Sequence, residues 1–98
     1  KLLIFAKKRN DKKLICDAYN QLGNTLLNSK NTKKSEVNFK KALEIAETML
    51  DKKRMATIYN NIAQIYWKKR EIDTTIYYLK KSLNIDLERK DSTFIGIS

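Results

Sequence analysis

Few side chains in this sequence could support covalent or acid–base chemistry, and they are scattered. Cys16 is the one cysteine, and the 98 residues include no histidine to serve as its base or to share a metal with it. Glu44 and Glu47 lie one helical turn apart and could divide acid and base roles, but the lysines around them mark the stretch as solvated surface. Gly23 and Gly96 are the two glycines, too far apart to form a phosphate-cradling loop. The expectation is a non-enzymatic chain with no cofactor and no metal site.

What abounds is positive charge. Lys and Arg number 21 against 11 Asp and Glu, giving a formal net charge of +10. Such a field attracts polyanions. The lysines nevertheless recur as pairs along the whole chain (Lys7-Lys8, Lys12-Lys13, Lys33-Lys34, Lys40-Lys41, Lys52-Lys53, Lys68-Lys69, Lys80-Lys81) rather than in one stripe. Tyr77 and Tyr78 near Lys80-Lys81 could stack on bases, but no nucleic-acid motif accompanies them. Nucleic acid or another polyanion is therefore the least favoured partner.

A lone cysteine rules out an internal disulfide and leaves the compartment open between cytoplasm and periplasm. The longest apolar run, Leu2 to Ala6, is far short of the roughly 20 residues that span a bilayer. A soluble segment without membrane insertion is expected.

The elements that must position any site are helical. There is no Pro, 42% of residues are hydrophobic and 33% charged, and nothing punctuates the chain as hairpin turns would. A shift of forty residues superposes Asp11-Lys12-Lys13 on Asp51-Lys52-Lys53, Tyr19-Asn20 on Tyr59-Asn60, Lys40-Lys41 on Lys80-Lys81, Leu43 on Leu83 and Ile45 on Ile85. A period in this range marks a solenoid whose units bury their apolar faces against neighbours. Each unit carries two apolar stripes at helical spacing: Ile15, Tyr19, Leu22 and Leu26, then Phe39, Ala42, Leu43, Ala46 and Met49 in the first. The second has Ile58, Tyr59, Ile62 and Tyr66, then Ile72, Ile76, Leu79 and Leu83. Polar breaks at 28–34 and 68–73 separate the stripes, and Asp11, Asp51 and Asp91 are each placed to cap the next helix. The expected organisation is the end of a preceding repeat at 1–10, repeats at 11–50 and 51–90, and the start of a following repeat at 91–98, an excerpt of a longer protein.

This pattern resembles the tetratricopeptide repeat, in its longer 40-residue variety found in kinesin light chains and many bacterial signalling proteins. The first-helix signature stands as Tyr19, Leu22, Gly23 and Leu26, and again as Tyr59, Ile62, Ala63 and Tyr66; the second-helix signature stands as Phe39 and Ala42, then Leu79 and Ser82. The small residue that begins the second-helix signature is Ser35 in one unit and Thr75 in the other, the usual inter-helix Gly is missing, no terminal Pro follows, and Asp86 stands where Ala46 does one unit earlier. The resemblance implies an all-α, right-handed α-solenoid of antiparallel helix pairs that holds a protein or peptide in a concave groove.

Carried over from the family, the groove-facing residues are Asp17, Asn20, Gln21, Asn24, Leu27 and Asn28 in one unit, and Thr57, Asn60, Asn61, Gln64, Trp67 and Lys68 in the other. Amides offer both donor and acceptor to a peptide main chain, and Trp67 beside Lys68 would anchor a partner side chain or an acidic terminus. Asn61 falls where carboxylate-gripping members place a key Asn, whereas Gln21 stands there in the first unit. The expected function is non-catalytic protein or peptide binding, as the sensor or scaffold part of a bacterial signalling protein. Self-association through exposed terminal helices is the alternative.

Overall fold

The structure, a computed structural model, describes Ile4 and residues 11–97, with side chains through 89. Among the described residues there are four helices and no strand: α1 (Lys12–Asn28), α2 (Thr32–Thr48), α3 (Lys52–Lys68) and α4 (Ile72–Ile97). The proposed repeat fragment at 1–10 lies outside the described residues apart from Ile4.

Asp11 caps α1 as its position implies: extended at φ −97° and ψ 104°, it accepts the Leu14 N–H on its carboxylate at 3.2 Å. Asp51 immediately precedes α3. Asp91 does not open a helix; α4 continues through it to Ile97. An Asp that repeats the period can also be carried inside a helix when no break precedes it, and the residues before Asp91 are good helix formers.

The turns are tighter than the polar breaks suggested, and all three are built alike. Lys30, Leu50 and Arg70 have φ of 68°, 53° and 62°, the left-handed conformation that glycine normally supplies. At each, two backbone N–H groups turn back to the preceding helix: Lys30 to Leu27 O and Asn31 to Leu26 O, at 3.1 and 2.8 Å. Leu50 and Asp51 repeat this on Glu47 and Ala46, and Arg70 and Glu71 on Trp67 and Tyr66. This double bond pattern satisfies carbonyls that a helix end would otherwise leave open. The missing glycine is thus replaced by long side chains unbranched at Cβ, which tolerate the left-handed region better than β-branched ones. In the first unit the two helices are of equal length, 17 residues each.

The chain divides into two compact units, Lys1–Asp51 and Lys52–Ser98. In the first, α1 and α2 pack antiparallel: near one end the Cys16 thiol donates to Ala42 O at 3.2 Å, and near the other the Ser35 hydroxyl donates to Gly23 O at 2.6 Å. Phe39 is fully buried against Gly23, where an added Cβ would sit 2.6 Å from two ring carbons. That is nearer than packed atoms stand, so this crossing requires glycine.

In the second unit α3 and α4 pack antiparallel as well. The Ser82 hydroxyl donates to Ala56 O at 2.9 Å. Positions 56 and 82 are the forty-residue counterparts of 16 and 42, so the same point of the hairpin is closed with the donor moved to the opposite helix. Tyr78 stacks on Tyr59 and Tyr66 at ring separations of 6.2 and 5.6 Å and meets Tyr77 edge-on. Lys81 lies 5.4 Å over Tyr59, as Lys41 lies 5.5 Å over Tyr19 in the first unit.

The expected stripes fit α2 and α3 well: Phe39, Ala42, Ala46, Ile58, Tyr59 and Ile62 are buried. Those of α1 and α4 are corrected. On α1 the buried residues are Cys16, Ala18, Gly23 and Leu27, while Leu22 is exposed. On α4, Ile72, Ile76, Leu79 and Leu83 are 43–55% exposed and the buried residues are Thr75, Ser82 and Ile85. Small side chains let the two backbones approach, so the face bearing Thr75 and Ser82 meets α3. At about 100° per residue the apolar stripe lies roughly 80° further round the helix. Asp86 is half-exposed and pairs with Arg89 at 3.8 Å, which accounts for its tolerance where the first unit buries Ala46.

Candidate partner-binding faces

Two features of the helices could receive a partner: the amide-rich faces of α1 and α3, and the end of α3 where it turns into α4.

On α1, Asp17, Gln21, Asn24 and Asn28 follow one another at steps of four, three and four residues, with Asn20 beside them. Thr57, Asn61, Gln64 and Lys68, with Asn60, repeat that spacing on α3. Helical geometry places each set on one face. It lies about 100° from the residues that meet the partner helix, rather than directly opposite them. Gln21, Asn28, Thr57, Asn60, Gln64 and Lys68 are exposed, whereas Asp17, Asn20, Asn24 and Asn61 are half-buried. The Thr57 hydroxyl donates to Lys53 O at 3.1 Å, leaving its lone pairs for a ligand donor.

Leu27 does not belong to this face. It is buried at 2% exposure, in register with Cys16 and Gly23 along the line where α1 meets α2. Trp67 occupies the corresponding register on α3, in line with Ala56 and Ala63, yet is 64% exposed. It stands at the end of the helix beside the turn. There Trp67, Lys68, Arg70 and Ile72 line a hollow of about 560 Å³. Arg70 and Ile72 were not singled out by sequence reasoning. Ile72 reads as a packing residue by periodicity, and the left-handed backbone at Arg70 has no glycine to announce it.

The lysines are not uniformly solvated. Lys69 lies 5.2 Å over Tyr66, and Lys81 also lies 5.1 Å over Tyr77. A hydrogen bond with Tyr77, and next the nearby Tyr59, hold the Lys81 ammonium above the ordinary lysine range. Tyr78 is already stacked between neighbouring rings, which removes it as a platform for a base. Among the described residues no group of Cys, Asp and Glu is placed to hold a metal ion, and no helix is long and apolar enough to cross a membrane.

An antiparallel helix pair that recurs along the chain, with small residues at its crossing, defines a class of helical repeat protein. The tetratricopeptide repeat family matches residues 14–88, and the chain belongs to it. Members of this family generally mediate protein–protein interaction and are typically non-catalytic. No curated protein and no solved structure matches the chain.

Proposed function

We propose that this chain binds extended segments of a partner protein at the amide-bearing face of α1 and, within the second unit, at the equivalent face of α3, as the sensor or scaffold part of a signalling protein. The observation that carries the binding reading is the recurrence of the amides Asn20, Gln21 and Asn24 as Asn60, Asn61 and Gln64 on equivalent faces that are not given over to the hairpin cores. Amides spaced along a helix face pair with peptide N–H and C=O groups whatever the side chains between them. The signalling context rests on family resemblance.

Peptides selected on the native chain from a displayed library should bind the Asn20→Ala/Asn60→Ala/Asn61→Ala variant about tenfold or more weakly, with far-UV helicity unchanged. Methylating alternate backbone nitrogens of the peptide should have a similar effect, because the contact is made to its main chain. Equal affinity for the variant removes the amide faces from consideration.

A second reading, self-association, is favoured by the exposed stripe of Ile72, Ile76, Leu79, Leu83 and Leu87 on α4. It predicts a mass that rises with concentration in sedimentation. A strictly monomeric species across the dilution series ends it, and the net charge of +10, which makes copies repel, favours that result.

A further inference from the structure

We infer that the hollow at the α3–α4 turn is the seat for an acidic segment of a partner protein, with one apolar side chain laid on Trp67 and Ile72 and carboxylates drawn to Lys68 and Arg70. This rests on the reading that the chain captures protein and names the chemistry of one contact.

Two turns of this chain share one backbone. The α1–α2 and α3–α4 connections share their left-handed residue and both return hydrogen bonds. Their side chains differ. Where the first turn has Leu27, Asn28, Lys30 and Thr32, the second has Trp67, Lys68, Arg70 and Ile72. Leu27 is buried at 2% exposure, whereas Trp67 is 64% and Ile72 48% exposed. The turn itself therefore does not require an indole, a second apolar side chain or a second cation at these positions. An exposed tryptophan and an exposed isoleucine lining one hollow of about 560 Å³ offer apolar surface that the equivalent turn does without.

Charge selects the occupant. Lys68 and Arg70 border the apolar floor, so a ligand must present carboxylates beside its apolar side chain. Of the nearby acids, Asp73 lies in the first turn of α4, where the helix dipole offsets its charge. Glu71 precedes that helix. A second copy of this chain, itself at +10, is the wrong sign.

Trp67 is the sole tryptophan, so its emission reports this hollow alone. The probe is a short synthetic peptide of glutamates carrying a pair of leucines, titrated into the full chain. The expected result is a saturable blue shift that weakens with salt, and a loss of affinity of about tenfold in Lys68→Glu/Arg70→Glu at unchanged helicity. The same shift in the Asn20→Ala/Asn60→Ala/Asn61→Ala chain supports the hollow as a separate seat and holds even if the amide faces bind nothing; its loss there overturns it. The proposal is also overturned by an unmoved emission, by equal binding of an all-glutamate peptide without leucine, or by a blue shift that appears on concentrating the chain alone.

Discussion

Gly23→Ala should destabilise the protein by about 1–3 kcal/mol, although alanine ordinarily gains roughly 0.5–1 kcal/mol over glycine inside a helix. The sign is set by Phe39: the new methyl would lie 2.6 Å from Cδ1 and Cε1 of a ring with no exposed surface into which to swing. At the equivalent crossing of the second unit the pair is Ala63 and Leu79, and Leu79 is 43% exposed. The first unit combines the smallest residue with a large buried one, and the second adds a methyl and releases its neighbour toward solvent. Phe39→Leu alone should cost about 1–2 kcal/mol for lost buried surface. The Gly23→Ala/Phe39→Leu double variant should lose distinctly less than the sum of its parts, with a coupling of about 0.5–3 kcal/mol in a urea-unfolding cycle. Simple additivity, or a Gly23→Ala chain as stable as the parent, would show that the ring yields freely and that this crossing is not set by close approach.

The second large effect runs in the stabilising direction. Left-handed backbone costs a residue with a Cβ about 1–2 kcal/mol, and glycine avoids that cost while giving up part of it in unfolded-state entropy. Lys30→Gly and Leu50→Gly should together raise unfolding free energy by about 1–2 kcal/mol, since both turns sit at positive φ and Leu50 is 79% exposed, with little packing to lose. Leu50→Val should move the midpoint the other way, because a β-branched side chain crowds that conformation. If glycine lowered the thermal midpoint at both turns, the left-handed assignment would be wrong.

How far these features could be read from sequence depends on what each leaves in the letters. The helix pairs were legible because the forty-residue period and the apolar spacing agree, and Asp11 was legible as a cap because capping chemistry is local. Tyr19 and Tyr59 each lie under a lysine, Lys41 and Lys81, and these too are forty residues apart. Periodicity marks apolar faces but does not say which one meets a neighbour. On α4 it pointed to Ile72, Ile76, Leu79 and Leu83, while contact with α3 falls on Thr75 and Ser82, whose value is their small size. Leu22 and Ile62 match in sequence, yet one is 39% and the other 1% exposed. The turns left no signal because Lys30, Leu50 and Arg70 hold a conformation that sequence normally flags with glycine. The hollow beside Trp67 is lined in part by Arg70 and Ile72, which periodicity did not mark as a site. The amide faces were read from family resemblance, and they remain a proposal.

The thiol of Cys16 has a practical consequence. It is 1% exposed and bonded to the main chain of the opposite helix, so a sulfhydryl reagent can reach it only after α1 and α2 part. Its labelling rate is therefore a built-in clock for opening of the first hairpin, separate from events in the second, which has no sulfhydryl of its own.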